Sequence, residues 1–187
     1  MKNKLLRASA LIVTLLLLSS CSSVRVQEYA QQTPRMIPED FFNGNLTAHG
    51  VVKNRSGKVI RYFNARIKAY WNDEVGTLEE DFVFDDGEMQ RRVWTLTRQA
   101  DGSYLGTAGD VVGEAHGEVA GNSMFLKYTL AVPLKKGDIH LTIDDRMYLV
   151  DPDTLINESQ MRKWGLEVGQ ILLVIRKGNR SVDGSRQ

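Results

Sequence analysis

The chain has 187 residues, with 24 Lys and Arg against 23 Asp and Glu, three His and a single Cys, for a formal charge of +1. A balance this even argues against a nucleic-acid partner. The one long apolar run ends before residue 20, which excludes a multi-span helical transporter and leaves one modest domain.

Lys2, Lys4 and Arg7 precede a stretch from Ala8 to Leu18 that is apolar apart from Ser9 and Thr14, and small residues follow. This is the three-part pattern of a secretory signal peptide, too short for a membrane-spanning helix. The run ends in Leu18-Ser19-Ser20-Cys21, which resembles the bacterial lipobox. In that motif the cysteine thiol is diacylated, the peptide is cut just before it, and the new amino terminus is usually acylated, with chains such as palmitate. Residues 1–20 are therefore expected to be removed and Cys21 to carry the anchor. One acyl chain holds a protein to a bilayer only marginally, whereas two or three make the attachment effectively permanent. Ser22 after the cysteine implies, by the same resemblance to Gram-negative lipoproteins, sorting to the outer membrane with the domain facing the periplasm. Lipidation also uses the only thiol, leaving none for a disulfide, a metal site or a nucleophile.

Residues 21–40 are expected to form the lipidated cysteine and a tether, because Ser22 to Pro38 mixes Ser, Gln, Thr and two prolines with little apolar period. The folded domain is expected over 41–177, with a disordered tail at 178–187. Inside it the dominant period is two, the mark of half-buried antiparallel strands. Phe63, Ala65, Ile67, Ala69 and Trp71 share one face. Leu78, Glu80, Phe82 and Phe84 share another, as do Met124, Leu126, Tyr128 and Leu130, and then Ile139, Leu141 and Ile143. Turn signals such as Asn54-Arg55-Ser56-Gly57, Asp85-Asp86-Gly87 and Asp101-Gly102 separate the runs. The spacing predicts an all-β, antiparallel up-and-down β-barrel of about 8–10 strands, lipocalin- or calycin-like, since an open sheet of that width would expose its edges. One short helix is expected near the C-terminus, with Ser159 as N-cap, Gln160 to Trp164 as its body and Gly165 as its stop.

Few residues point to chemistry. His49, His116 and His140 lack any spacing that would place two imidazoles on one face, so no metal site is expected. The acids Glu79-Glu80-Asp81 and Asp85-Asp86-Glu88 lack a calcium-loop pattern and are expected to be a solvated hairpin. No Gly-x-Ser-x-Gly is present, no catalytic residue is assigned and no cofactor is expected. Asp144 and Asp145 should point to opposite faces of one strand, and one of them is a candidate buried acid partner for Arg91 or Arg92. The aromatics Phe63, Trp71, Phe82, Phe84, Trp94, Phe125 and Tyr128 are expected to point largely inward. Arg92, two positions from Trp94, is placed to meet a carboxylate or phosphate.

Several segments are similar to a known family. They include Phe41-Phe42-Asn43-Gly44, Leu78-Glu79-Glu80-Asp81-Phe82, Arg92-Val93-Trp94, Asp110-Val111-Val112-Gly113-Glu114-Ala115 and Met161-Arg162-Lys163-Trp164-Gly165. These resemble the proteobacterial lipoproteins grouped as domain of unknown function 3833, over nearly the whole mature chain. The resemblance implies a lipocalin-like barrel and, because such proteins are often encoded beside enzymes of membrane fatty acids, a task connected with lipids.

Three readings follow. The first is a barrel that binds or carries a fatty acid or other amphiphile, with Phe82, Trp94 and Tyr128 as walls and Arg92 at the headgroup. The second is a packed barrel that docks an envelope protein through the Arg66, Lys68 and Tyr70 face. The third is an enzyme of envelope lipids using Asp144 or Asp145 with Arg92, which no motif requires.

Overall fold

A computed structural model describes residues 24–178. The segment expected to be a signal peptide, Cys21 and most of the expected tail lie outside the described residues. Ten antiparallel strands follow one another round a closed ring. They are β1 (Gly44–Asn54), β2 (Val59–Asn72), β3 (Val75–Phe84), β4 (Met89–Arg98), β5 (Tyr104–Thr107), β6 (Ala115–Ala120), β7 (Ser123–Pro133), β8 (Asp138–Asp151), β9 (Thr154–Lys163) and β10 (Leu166–Lys177). Each pairs with its neighbour in sequence, and β1 closes on β10 from Leu46 opposite Lys177 to Asn54 opposite Gly169.

The period-two runs of the sequence become the inner layer. Phe63, Ala65, Ile67 and Ala69 of β2 are buried while Tyr62, Asn64, Arg66, Lys68 and Tyr70 face out. Leu126, Tyr128, Leu141 and Ile143 line the far wall. Phe125 breaks the expectation for the aromatics. It lies on the outer face, where Tyr29 meets it edge-on at 5.8 Å and the Arg146 guanidinium sits 5.4 Å from its ring centre.

The helix expected at 159–164 is absent. Residues Thr154–Lys163 form β9, in which Leu155, Asn157 and Ser159 are buried in alternation. Two inward polar residues break the apolar run and hide its period from a hydropathy reading. Trp164, expected to end the helix, and Gly165, expected to stop it, are the β9–β10 turn, with both residues at positive φ.

The short helix α1 (Pro38–Phe41) instead plugs one end of the barrel. Phe41 and Phe42 are buried there edge-to-face at 5.1 Å. The plug is held by the Trp71 indole N–H on the Phe42 carbonyl at 2.9 Å, the Tyr104 hydroxyl on Glu39 at 2.9 Å and the Lys177 ammonium on the Asp40 carbonyl at 2.6 Å.

The segment expected to be a free tether is, from Val24 onward, a strap on the barrel wall. Val26 and Met36 are buried, Tyr29 packs on Tyr148 at 5.3 Å, and Met36 N–H donates to the Gly121 carbonyl at 2.7 Å. Core, plug and strap all lie within 24–178, so a chain beginning at Ser22 contains all three. The strap depends on Gly121, which has φ +55° and whose absent Cβ would stand 1.8 Å from the Tyr29 carbonyl oxygen. Gly121→Ala should release residues 24–36 to limited proteolysis and lower stability by about 2 kcal/mol, read by mass mapping of the cuts and by denaturant unfolding.

Candidate functional site

The interior is hollow. Ten strands make a wider ring than eight, and small or polar residues such as Ala48, Asn157 and Ser159 stand where bulky ones would fill it. The result is a chamber of about 130 Å³ between the plug residue Phe42 and the aromatic pair Phe63 and Phe82. Leu78, Trp94, Leu96, Met124, Leu126 and Ile175 supply most of its apolar wall. Trp94 and Tyr128 meet edge-to-face at 5.3 Å, and Phe63 and Phe82 at 5.7 Å.

Register places a polar band on that wall. Glu80 of β3 lies directly across from Arg92 of β4, and Asp145 of β8 directly across from Ser159 of β9. Phe82, Arg92, Trp94 and Tyr128, the candidates read from the sequence, all line the chamber. Asp145 joins them, whereas Asp144 turns to the outer face and binds Arg146 at 2.8 Å. Arg91 also lies outside, against Glu79 at 2.6 Å. The expected pairing of Arg92 with Asp144 or Asp145 is replaced by another. Arg92 Nε donates to Asp110 Oδ2 at 3.0 Å, and Asp145 Oδ1 accepts from the Ser159 hydroxyl at 2.7 Å and from the Asn157 amide.

Glu80 is the residue that a hydropathy reading passes over. The period-two reading puts it on one face with Leu78 and Phe82, as the structure has it, but its expected place in a solvated acidic hairpin is not what the structure shows: it sits between them on the inner face and takes no hydrogen bond from the described residues. Asp86 and Glu88 of that hairpin are solvated and grip Arg61 at 2.8 and 2.7 Å. Burial pushes the Glu80 carboxyl up to about 7, against the pull of Arg92 and with the help of Asp145 and Asp110. Burial likewise raises Asp145, opposed by the hydrogen bonds from Asn157 and Ser159, and holds the Tyr128 hydroxyl protonated. Asp110, Asn157 and Ser159 are the other contributors the sequence reading missed. The signal for the last two was their two-residue spacing between Leu155 and Met161.

The wall beside this band is incompletely paired. β4 meets β5 only from Thr95 to Arg98, so Met89–Trp94 have no ladder partner on that side. The loop 108–114 fills the space, bonded to β7 through Val112 N–H on the Thr129 carbonyl and Ala131 N–H on the Asp110 carbonyl. No backbone hydrogen bond joins this loop to β4 among the described residues. The Arg92–Asp110 pair spans the seam, and Asp110 Oδ1 is buried without a partner.

The pH dependence of stability carries a clear sign. Unfolded Glu80 loses its proton near 4.5 and folded Glu80 near 7, so stability present at acid pH is lost as the pH rises through 7. Glu80→Gln, which stays neutral, should therefore gain about 2 kcal/mol relative to wild type between pH 5 and pH 8. Urea unfolding of both proteins at the two pH values checks this, and parallel pH profiles would contradict it.

Comparison with known proteins adds a family. The family model described as "Protein of unknown function (DUF3833)" matches residues 15–177. No curated protein matches the sequence. Similar solved structures include a redesigned β-barrel bound to DFHBI, at 7% identity and TM-score 0.41, covering 73% of this chain and 99% of that one. An S-type phycobiliprotein lyase from Guillardia theta is similar at 11% identity and TM-score 0.45, covering 84% of this chain and all of that one.

Proposed function

The chain belongs to the family described as Protein of unknown function (DUF3833), and we propose that its barrel binds a fatty acid or other small amphiphile as a lipid-anchored carrier of the cell envelope. The observation that carries this reading is the chamber itself, apolar on most of its wall and hydrogen-bonding on one band. The tail lies among Phe82, Trp94 and Tyr128, and the polar head meets Arg92, Glu80 and Asp145. Anchoring through Cys21 at the periplasmic face of the outer membrane belongs to the same proposal and puts the barrel where amphiphiles are abundant.

Size and charge define the cargo more closely. An engineered cavity of about 150 Å³ holds one benzene, so a chamber of about 130 Å³ takes roughly six carbons. A longer tail must leave through the seam beside β4 or through the end opposite the plug. Asp110 already offsets Arg92, so a carboxylate entering beside ionised Glu80 and Asp145 would face net repulsion. A protonated Glu80 reverses this by donating to the incoming carboxylate next to Arg92.

Two measurements test the proposal. Native mass spectrometry of residues 22–187 purified from the periplasm should show an added mass that is lost on denaturation and analyses as a lipid. Octanoate should bind the delipidated protein about tenfold more tightly at pH 6 than at pH 8, by calorimetry, and Glu80→Gln should flatten that dependence. An apo mass together with no saturable octanoate binding overturns the reading.

A further inference from the structure

The two ends of the barrel differ in chemistry. At the plugged end the turns carry exposed acids: Asp73 and Glu74 between β2 and β3, Asp101 between β4 and β5, and Asp151 and Asp153 between β8 and β9. Ile37, Val75 and Val150 are exposed there, the two valines beside those acids. At the opposite end the hairpin tips carry large apolar side chains in water. Trp164 is 89% exposed, Met89 77% and Leu166 60%, and Leu134 and Ile60 are also exposed.

These residues belong to different turns, so no local packing need explains them together. Leu134 sits on the β7–β8 tip and Trp164 and Leu166 on the β9–β10 tip, which are neighbours round the ring. The same two tips supply Lys135, Lys136 and Lys163, and the adjoining β1–β2 tip adds Arg55 and Lys58. The Lys163 ammonium lies 5.1 Å from the Trp164 ring centre and donates to the His140 carbonyl at 3.0 Å, which ties one tip to the other. On this side of the rim Asp138 and Glu167 accompany Lys135, Lys136 and Lys163, which outnumber them, and the other acids of this end lie on the far side. Asp86 and Glu88 of the β3–β4 tip are engaged by Arg61, and Asp110 by Arg92.

We infer that the open rim, on its β7–β8 and β9–β10 side, docks on an anionic lipid bilayer, with Trp164, Leu134 and Leu166 entering the interface and Lys135, Lys136 and Lys163 meeting the headgroups. An indole at the water–hydrocarbon boundary and lysines above it are the side chains that such a surface favours. The acidic plugged end is repelled by the same surface, which fixes the orientation. The strap points the same way. Met36 bonds Gly121 at the plugged end, Tyr29 lies further up on Phe125, and Val24 and Arg25 share a groove with His116, Lys127 and Asp144 at mid-height. The chain therefore runs from Met36 back to Val24 toward the open rim.

Vesicle flotation of residues 22–187, without an acyl chain, tests the inference. The protein should float with phosphatidylethanolamine–phosphatidylglycerol vesicles and at least tenfold less with phosphatidylcholine vesicles. Its tryptophan emission should shift to the blue on binding, a change assigned to Trp164 because Trp94 is buried and Trp71 is bonded inside the barrel. Trp164→Ser with Leu134→Ser should cut flotation at least tenfold, as should Lys135→Glu with Lys136→Glu. Val75→Ser with Val150→Ser, at the plugged end, should leave it unchanged. No flotation with anionic vesicles overturns the docking rim, and so do equal binding to neutral vesicles and full binding by either rim variant. Chamber occupancy is read separately by native mass, so an empty barrel that still floats refutes the carrier and leaves the rim standing.

Discussion

Every feature of this molecule depends on one closure, the pairing of β1 with β10. An up-and-down sheet of ten strands has two edges whose backbone groups must be paired, and joining them removes both at once. The ring thus formed is too wide for side chains from opposite walls to interlock everywhere. The plug α1 fills the space at one end with Phe41 and Phe42, and what remains above Phe42 is the chamber. A hollow interior follows from the strand number and from residues such as Ala48, and needs no separate device.

Closure also explains where the wall is left incompletely paired. β5 and β6 are short, four and six residues, against fourteen in β2 and β8. The upper half of the wall between β4 and β7 therefore lacks strand and is covered by the loop 108–114. A side-chain ion pair replaces a ladder there, and Asp110 is left with one oxygen unpartnered. Three acidic groups against one guanidinium is a poor balance for structural purposes alone. Burying such groups costs more than their mutual attraction returns unless each finds hydrogen bonds. Asn157 and Ser159 meet that need for Asp145, whereas Glu80 has no such donor and shifts toward its neutral form instead.

How much of this was legible in the residues depended on which property carried the signal. Strands with a clean apolar alternation, such as Phe63 to Trp71, announced both their existence and their inner face, and closure followed from their number. The four site candidates Phe82, Arg92, Trp94 and Tyr128 were found because each sits beside apolar residues at two-residue spacing. β9 was lost because its inner face is Leu155, Asn157, Ser159 and Met161, half of it polar, and because Trp164-Gly165 reads equally as a helix stop or a hairpin turn. The face of Glu80 is legible from its spacing with Leu78 and Phe82, but its burial is not, since flanking acids on the outer face make a single inward acid look like part of a solvated run. Asp110 could not be tied to Arg92 from sequence at all, because their contact crosses a seam that exists only where β5 falls short. The strap reads as a linker because Val26, Tyr29 and Met36 are too sparse to show a period, and they pack on an outer wall whose residues carry no sequence signal of a contact.

The polar interior and the apolar rim answer opposite physical demands, and their placement relates the two. A soluble barrel gains nothing by exposing tryptophan, methionine and leucine at one end while enclosing carboxyl groups near its middle; each arrangement alone is a cost in water. Both become reasonable when the open end faces an apolar medium. The rim then exchanges water for lipid, and an amphiphile crossing into the barrel keeps its tail in apolar surroundings throughout. Its head meets hydrogen-bonding groups at the depth of Arg92, beside the seam and short of the plug. The plugged end, acidic and capped by aromatic packing, remains in water in this arrangement and closes the path, so that cargo enters and leaves on the membrane side or through the seam that Arg92 and Asp110 hold.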